Sequence, residues 1–440
     1  MARSTLGPNY WKLLVASAVS NFGDGLSAVA YPWLASAVTR DPVQISLIAV
    51  ASRLPWLVFT LPAGVITDRV DRRKLIASMD VARFLITVVV AVVVLLGRHQ
   101  LADPEALAGG TEVRPEYQLG FLILLYGSAL LFGIAEVLRD NAAQTLMPAM
   151  VAPEQLEKAN GRLWGAEMVM NSFVGPPLGG ILVGFALALP FFIDAGTFGA
   201  SAILIYLISG SFRATGWETR AGKISWRAEM GEGLRWLWNH RLLRAMGLIL
   251  GVSNAMFSVA LATYVLFVQE VLGLSADQFG LLLTAGALGG VVGSFTASRV
   301  ARALGSGTSL FVTLLGSGLT LGITGVTSSA LVVWAMFLAG SYLVVLWNVI
   351  TVSLRQTIIP DRLLGRVNSV YRMFAWGMIP IGSLLGGLIV AVVEPLAGRE
   401  TALRTPFFVG AGVYLVLYVI ALPILNTRQI EQARREALPR

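Results

Sequence analysis

Eight ionisable side chains interrupt stretches of this sequence that are otherwise apolar: Asp24, Arg53, Arg83, Glu136, Arg139, Asp140, Glu167 and Arg372. Setting Asp, Lys or Arg at the centre of a membrane helix costs roughly 2.5–3.5 kcal/mol, so such groups face a water-filled cavity or a partner. Spacing gathers several of them into stripes. In the fifth apolar run Asn160, Trp164, Glu167, Asn171 and Gly175 follow at intervals of four, three, four and four, which is one face of a helix. Ser17, Asn21 and Asp24 make a second stripe, and Asn368, Arg372 and Trp376 a third. The chemistry these residue types support is proton exchange. A carboxylate carries a proton between two exposures only if its affinity changes on the way, through desolvation or through a cationic partner that moves. Asp24 is the first choice, being the only acid in its run and near its middle; Glu167 and Glu136 are the others. Each also reads as one member of a fixed ion pair, Glu136 most of all because Arg139 follows three residues later on the same face. Arg53 and Arg83 are partners for Asp24 or Asp80, or reach the membrane surface. Tyr31, Trp33, Trp164, Trp347 and Trp376 can stack on a flat or cationic substrate, or simply pack. Asp194 stands near the start of its run and reads as a helix-start residue.

These residues need long apolar elements to hold them, and the chain supplies them. Of 440 residues 56% are hydrophobic, and twelve runs lie near 11–37, 43–67, 75–97, 119–146, 160–184, 188–211, 242–270, 277–301, 308–328, 330–354, 367–393 and 406–425. About 20 apolar residues cross a bilayer as a helix, because every backbone N–H and C=O must be paired without water. An all-α integral membrane protein with twelve transmembrane helices is expected. The first run lacks the features of a cleaved signal and reads as a retained span. The chain has no cysteine and only two histidines, His99 and His240, far apart, so neither a metal nor another cofactor is expected. The net charge of +8 is explained by topology rather than by nucleic acid. With the N-terminus inside, only Arg40, Arg98, Arg114, Arg399 and Arg404 of the 33 Lys and Arg residues fall in outer loops, which places both termini in the cytoplasm.

The two halves resemble each other. PEQLEKAN (Pro153–Asn160) is echoed by PDRLLGRVN (Pro360–Asn368), and twenty-six residues after each proline stands a glycine pair, Gly179–Gly180 and Gly386–Gly387. Duplicated six-helix halves are the layout of transporters that rock two bundles about a central site. The expected organisation is a bundle at 1–211, a cytoplasmic linker at 212–241, a second bundle at 242–427 and a tail at 428–440. In the linker Trp226, Met230, Leu234 and Leu237 share one face, with Arg227 and Arg235 on others, the pattern of a helix lying in the headgroup layer.

Two further motifs complete the pattern. GVITDRVDRRKLI (Gly64–Ile76) puts six charges into seven positions after an apolar run, and VGPPLGG (Val174–Gly180) sets two prolines among three glycines. Both resemble motifs of the major facilitator superfamily, the first joining helices 2 and 3, the second from helix 5 of its antiporters. The likeness is nearest to the drug and siderophore exporters related to macrolide and enterobactin efflux proteins, through NFGDGLSAVAYPWL, AGVITDRVDRR, LMPAMVAPEQLEKAN, GPPLGG and FFIDAGTF. The resemblance implies two pseudo-symmetric six-helix bundles. It implies a cytoplasmic latch made by Gly64, Asp68, Arg69, Arg72 and Arg73, and a helix-5 motif at Gly175, Pro176, Gly179 and Gly180 that limits leak. The matching stretch of the second half, GSFTASRVARAL, has no acid, so any latch there is weaker.

The function expected from this is proton-coupled efflux of a small amphipathic molecule, a drug, siderophore or other metabolite, across the bacterial cytoplasmic membrane. Alternatives are uptake, facilitated diffusion or lysophospholipid flipping on the same fold, and a non-transporting sensor. Expected partners are the substrate, protons and membrane lipid, with no nucleic acid, and a monomer as the working form. No nucleotide-binding loop or metal-ligand cluster points to an enzyme.

Overall fold

Helix breakers decide where the long apolar runs start, stop and bend. Pro8 and Pro42 open α1 (Pro8–Val38) and α2 (Pro42–Val58), where a missing N–H leaves no bond unmade. Asp41 caps α2, its carboxylate accepting from the backbone N–H of Val43 at 2.8 Å and of Gln44 at 3.2 Å. A proline in a helix clashes with the carbonyl four residues back; for Pro62 that is Val58, and the helix breaks there, resuming as α3 (Thr60–Arg69). The second apolar run is therefore two helices in the computed structural model, which describes residues 6–108, 115–213 and 226–437.

Asp71 caps α4 (Arg72–Leu96) through the Lys74 N–H. A short turn, α5 (Pro104–Ala108), precedes α6 (Gln118–Leu146), α7 (Leu156–Met168), a π-helical segment Val169–Val174, α8 (Gly175–Phe185) and α9 (Leu189–Tyr206). The π segment has a cause in the sequence: Pro176 and Pro177 offer no N–H to the carbonyls of Ser172 and Phe173, so the regular ladder fails just before them. The second half forms α10 (Trp226–Asn239), α11 (Arg241–Ala262), α12 (Tyr264–Glu270), α13 (Ala276–Leu304), α14 (Ser306–Val326), α15 (Ala330–Ile358), α16 (Asp361–Ala397), α17 (Arg399–Ala421) and α18 (Thr427–Ala437). Among the described residues there is no strand, and eleven helical spans are long and apolar enough to cross a membrane. The broken pair α2 and α3 supplies the twelfth expected run.

The chain clusters into two compact units, Met1–Ala221 with Val268–Thr284, and Gly222–Phe267 with Ala285–Arg440. In the first, α1 packs on α8 and α9, α4 on α6 and α9, and α2 on α6; Tyr10, Leu13, Ile76, Leu146 and Ile205 form an apolar core. In the second, α11 packs on α16, and α14 on α15 and α17, around Leu243, Met246, Leu310, Leu354, Val367 and Tyr371. Leu237 of α10 enters that core, and a Cβ on Gly233 would stand 2.9 Å from the Arg366 backbone, so α10 docks on α16. The side chains of Trp226 and Met230, which open the linker's apolar stripe, lie outside the described residues.

Lipid tails give apolar helices no reason to associate, so close backbone approach through small residues holds them together. A Cβ on Gly175 would stand 2.5 Å from the Gly25 Cα, and one on Gly179 2.6 Å from the Leu26 carbonyl oxygen. The second unit repeats the contact 207 residues later in both cases: a Cβ on Gly382 would meet the Ala255 carbonyl oxygen at 2.2 Å, and one on Gly386 that of Val259 at 2.4 Å. VGPPLGG thus seats α8 on α1 as IGSLLGG (Ile381–Gly387) seats α16 on α11. Gly180 turns to a different neighbour, the Ala276 carbonyl oxygen 2.2 Å from its Cβ position, and brings the first turns of α13 against α8 within the first unit.

Candidate functional site

One face of α1 carries Ser17, Ser20, Asp24, Ser27 and Tyr31, at intervals of three, four, three and four, and together they meet four other helices. The Ser17 hydroxyl donates to Glu167 Oε1 of α7 at 2.6 Å. Arg83 of α4 donates through Nη1 to Ser20 Oγ at 3.0 Å and through Nη2 to Asp24 Oδ1. Ser27 donates to Asp194 Oδ2 of α9 at 2.5 Å, and the Tyr31 hydroxyl to Ser128 Oγ of α6 at 3.3 Å.

Behind Asp24 lies a buried charge cluster. Asp80, one turn before Arg83 on α4, accepts from Arg139 Nε at 2.7 Å and from the Ser201 hydroxyl at 2.7 Å, and stands 3.6 Å from Arg83 Nη1. Arg139 also faces Asp140 at 3.8 Å. The Arg83 guanidinium lies 4.5 Å from the ring centre of Phe132 and 4.0 Å from that of Phe198, so apolar faces cover what its hydrogen bonds leave open. The side chains of Asp80 and Arg83 are 0% and 1% exposed while that of Asp24 is 22% exposed. Asp24 is therefore the member of its pair that solvent can reach. Breaking such a buried pair is costly because the remaining charge is stranded, and Asp80, shared by two arginines, compensates both.

The expected stripes come together in part. Asn171 approaches Asn21 at 3.5 Å, and Asn21 donates to the Ser17 carbonyl oxygen at 2.9 Å, which joins the polar residues of α1 to those beside Glu167. Glu136 does not take Arg139 as its partner; it accepts from Trp56 Nε1 at 3.4 Å, while Arg139 turns to Asp80 and Asp140. Arg53 is exposed on α2, and Trp164 is 70% exposed on α7. In the second unit Arg372 is exposed and Trp376 is 42% exposed. Asp194 is no helix-start residue: it is five residues into α9, wholly buried, and bound by Ser27 and Thr197. Sequence reasoning passed over Ser20, Ser27, Phe198 and Ser201, and treated Asp80 only as a partner. The three-residue step from Asp80 to Arg83 was a usable signal, whereas the partners on α9 show only when helices far apart in sequence meet.

The charged segment after α3 ties helix ends of its own unit together. Arg72 Nη1 donates to the Thr145 carbonyl oxygen near the end of α6 at 3.1 Å, and Arg73 Nη1 to the Ile208 carbonyl oxygen just past α9 at 2.6 Å; cations suit those ends because unpaired carbonyls point out of them. Asp71 accepts from Ser211 Oγ at 3.1 Å and from the Phe212 N–H at 3.0 Å. Burial works against the Asp71 charge, but the N–H groups of Phe212 and Lys74, the Ser211 hydroxyl and the Arg73 guanidinium outweigh it and hold the carboxyl below the usual carboxylate range. Around Gly64 a Cβ would meet nothing within 4 Å among the described residues, so no neighbouring helix comes close to it in this arrangement. The Asp68 side chain lies outside the described residues.

A family model described as a transmembrane secretion effector matches residues 7–437. The chain belongs to the transmembrane secretion effector family. Similar proteins include the multidrug efflux pump Tap of Mycobacterium tuberculosis, 29% identical over 448 residues that cover 97% of this chain and 93% of Tap. The enterobactin exporter EntS of Citrobacter koseri is 25% identical over 434 residues, covering 97% of this chain and 94% of EntS. Among solved structures, a bacterial homologue of the iron transporter ferroportin in an inward-facing state matches with a TM-score of 0.69 at 18% identity, covering 95% of this chain and 99% of that one. The nucleoside transporter NupG matches with a TM-score of 0.67 at 11% identity, covering 95% and 99%. This secretion effector is thus a multi-pass membrane protein with the major facilitator fold, as the motifs implied, and its family and structural neighbours are transporters.

Proposed function

We propose that this secretion effector exports a small amphipathic molecule across the bacterial cytoplasmic membrane in exchange for protons, by alternating access, as a monomer with both termini in the cytoplasm. The names of its relatives Tap and EntS support export. Coupling rests on one observation above others: Asp24, partly open to solvent, is bound by a sealed arginine that has a second carboxylate in reserve. While Asp24 is ionised, Arg83 fastens α1 to α4. A proton arriving from outside neutralises Asp24 and weakens that charge-assisted bond, and Asp80 keeps Arg83 compensated when it lets go. Freed, α1 shifts, carrying α8 with it through the Gly25–Gly175 contact, and the cytoplasmic side opens. Substrate entering there displaces the proton, the ion pair re-forms, and the charged segment with Gly64, Asp68, Arg69, Arg72 and Arg73 closes that side again. Glu167, bound to the same helix through Ser17, adds a second titrating contact. Asn21, Asn171, Trp164, Arg372 and Trp376 line the substrate's route.

The test is transport into everted vesicles from a host without pumps of its own, driven by an imposed pH gradient and read with a panel of fluorescent drugs. Asp24→Asn is expected to remove the response to the gradient while leaving downhill movement. An Asp24→Asn variant that still accumulates drug in proportion to the gradient would overturn the assignment of coupling.

A further inference from the structure

Asp194 is a carboxyl that the mechanism above leaves unused. It sits inside α9 with no exposed surface. Its oxygens meet only hydroxyls: Ser27 Oγ lies 2.5 Å from Oδ2, and Thr197 Oγ1 lies 3.4 Å from Oδ1 while donating at 2.6 Å to the Asp194 carbonyl oxygen. Among the described residues no Lys, Arg or His nitrogen lies within 4.0 Å of it. Glycine 23 makes room for it, since a Cβ there would stand 2.1 Å from Asp194 Oδ1. The titratable groups on the elements packed against α9 are Tyr10, Lys12, Asp24 and Tyr31 of α1, Arg72, Arg73, Lys74, Asp80 and Arg83 of α4, and Tyr126, Glu136, Arg139 and Asp140 of α6; α8 carries none, and α9 itself adds Tyr206. The nearest cation, Arg83, is turned away: it lies on the ring of Phe198, one turn along α9 from Asp194, and its bonds go to Ser20, Asp24 and Asp80.

An ionised carboxylate sealed in apolar surroundings without a cation is far more costly than the neutral acid. We propose that Asp194 is a further proton-binding site, filled in this arrangement, and that it titrates together with Asp24 because one helix, α1, carries both Asp24 and the Gly23 and Ser27 that seal Asp194 on α9. This rests on the proton-coupled reading above and deepens it. Gly23, Asp24 and Ser27 are within two turns of α1, so a shift that parts Asp24 from Arg83 on α4 also withdraws Gly23 and Ser27 from Asp194 on α9. Water reaching the space they leave can take the Asp194 proton, and their return restores the sealed acid. Each cycle then moves one proton at Asp24 and one at Asp194.

Infrared spectroscopy of the purified full-length protein in detergent reads this without a known substrate, since protonated carboxyls and carboxylates absorb separately. At neutral pH the wild type is expected to show a protonated-carboxyl band that Asp194→Asn removes and Asp24→Asn keeps at a shifted titration midpoint. Ser27→Ala, which leaves the carboxyl in place, moves the band and covers the case in which Asp194→Asn does not fold. A spectrum that neither variant alters overturns the site, and an Asp194 midpoint indifferent to Asp24→Asn overturns the linkage. Loss of gradient-driven transport is read separately in vesicles, so a failure of the proton-coupled reading and a failure of this site are told apart.

Discussion

Arg83 meets Asp24, Ser20 and Asp80 at once because a guanidinium is a planar fork with several donors. A lysine there keeps the charge and the fold but is a single point that cannot serve all three. Arg83→Lys is therefore expected to purify as a stable protein and to lose roughly tenfold in gradient-driven transport, the loss that about 1.5 kcal/mol of one charge-assisted bond implies; initial rates in vesicles measure it. Asp80 is the opposite case. Asp80 is wholly buried and shared by two arginines, and its removal in Asp80→Ala leaves Arg139 only the more distant Asp140 and Arg83 only the partly solvated Asp24, at a cost of about 3–5 kcal/mol. Asp24→Asn is expected to cost much less, because Asp24 is partly solvated and Asp80 still compensates Arg83. Thermal unfolding in detergent should rank the midpoints wild type, Asp24→Asn, then Asp80→Ala, and the reverse order for the two variants would contradict the role given to Asp80.

Among elements, the pairing of α8 with α1 and of α16 with α11 is set by glycine positions that leave no space for a methyl group. Gly175→Ala and Gly382→Ala should each push a helix off its neighbour and lower stability by about 1–3 kcal/mol. Gly184→Ala, on the same α8 but with nothing within 4 Å of its Cβ position, should be neutral or raise it by up to about 1 kcal/mol. Detergent melting curves separate the two outcomes. At the α4 N-terminus Asp71→Ala removes a cap and should cost about 1 kcal/mol. Because the folded-state carboxyl of Asp71 is held below its ordinary value of about 3.9, its stabilising effect is complete at neutral pH and is lost as pH falls below about 4 towards the folded value. The wild type should lose its advantage over Asp71→Ala only in that acid range. Prolines act on carbonyls four residues back, so the α2–α3 break at Pro62 and the π-helical segment before Pro176 have local causes, although the sequence alone reads as one unbroken run over 43–67. Which helix a glycine touches is not local, and Gly64, which has an empty surround, reads in sequence just like Gly175, which has none.

At the scale of the whole molecule the repeat in backbone is not a repeat in chemistry. Both units use the same glycine contacts 207 residues apart, yet the mid-span carboxyls Asp24, Asp80, Glu136, Asp140, Glu167 and Asp194 all belong to the first. The second holds Arg355 over the Tyr371 ring at 4.2 Å, an exposed Arg372, and Glu394 paired at 2.8 Å with Arg399 near the end of α16. The duplicated layout was readable from glycine and proline spacing. The division of labour was only half readable, because a stripe such as Asn368, Arg372 and Trp376 shows a polar face but not whether a carboxyl from another helix meets it. On the proposed mechanism the first unit handles protons and the second contributes surface to the substrate. Arg372→Ala is then expected to change which compounds are exported, favouring cations now that a positive charge is gone, while the dependence of export on the pH gradient stays at the wild-type slope. Transport of one cationic and one anionic dye across a series of imposed gradients measures both at once. A shifted dye preference with an unchanged slope fits that division, and a flattened slope would place part of the proton pathway in the second unit.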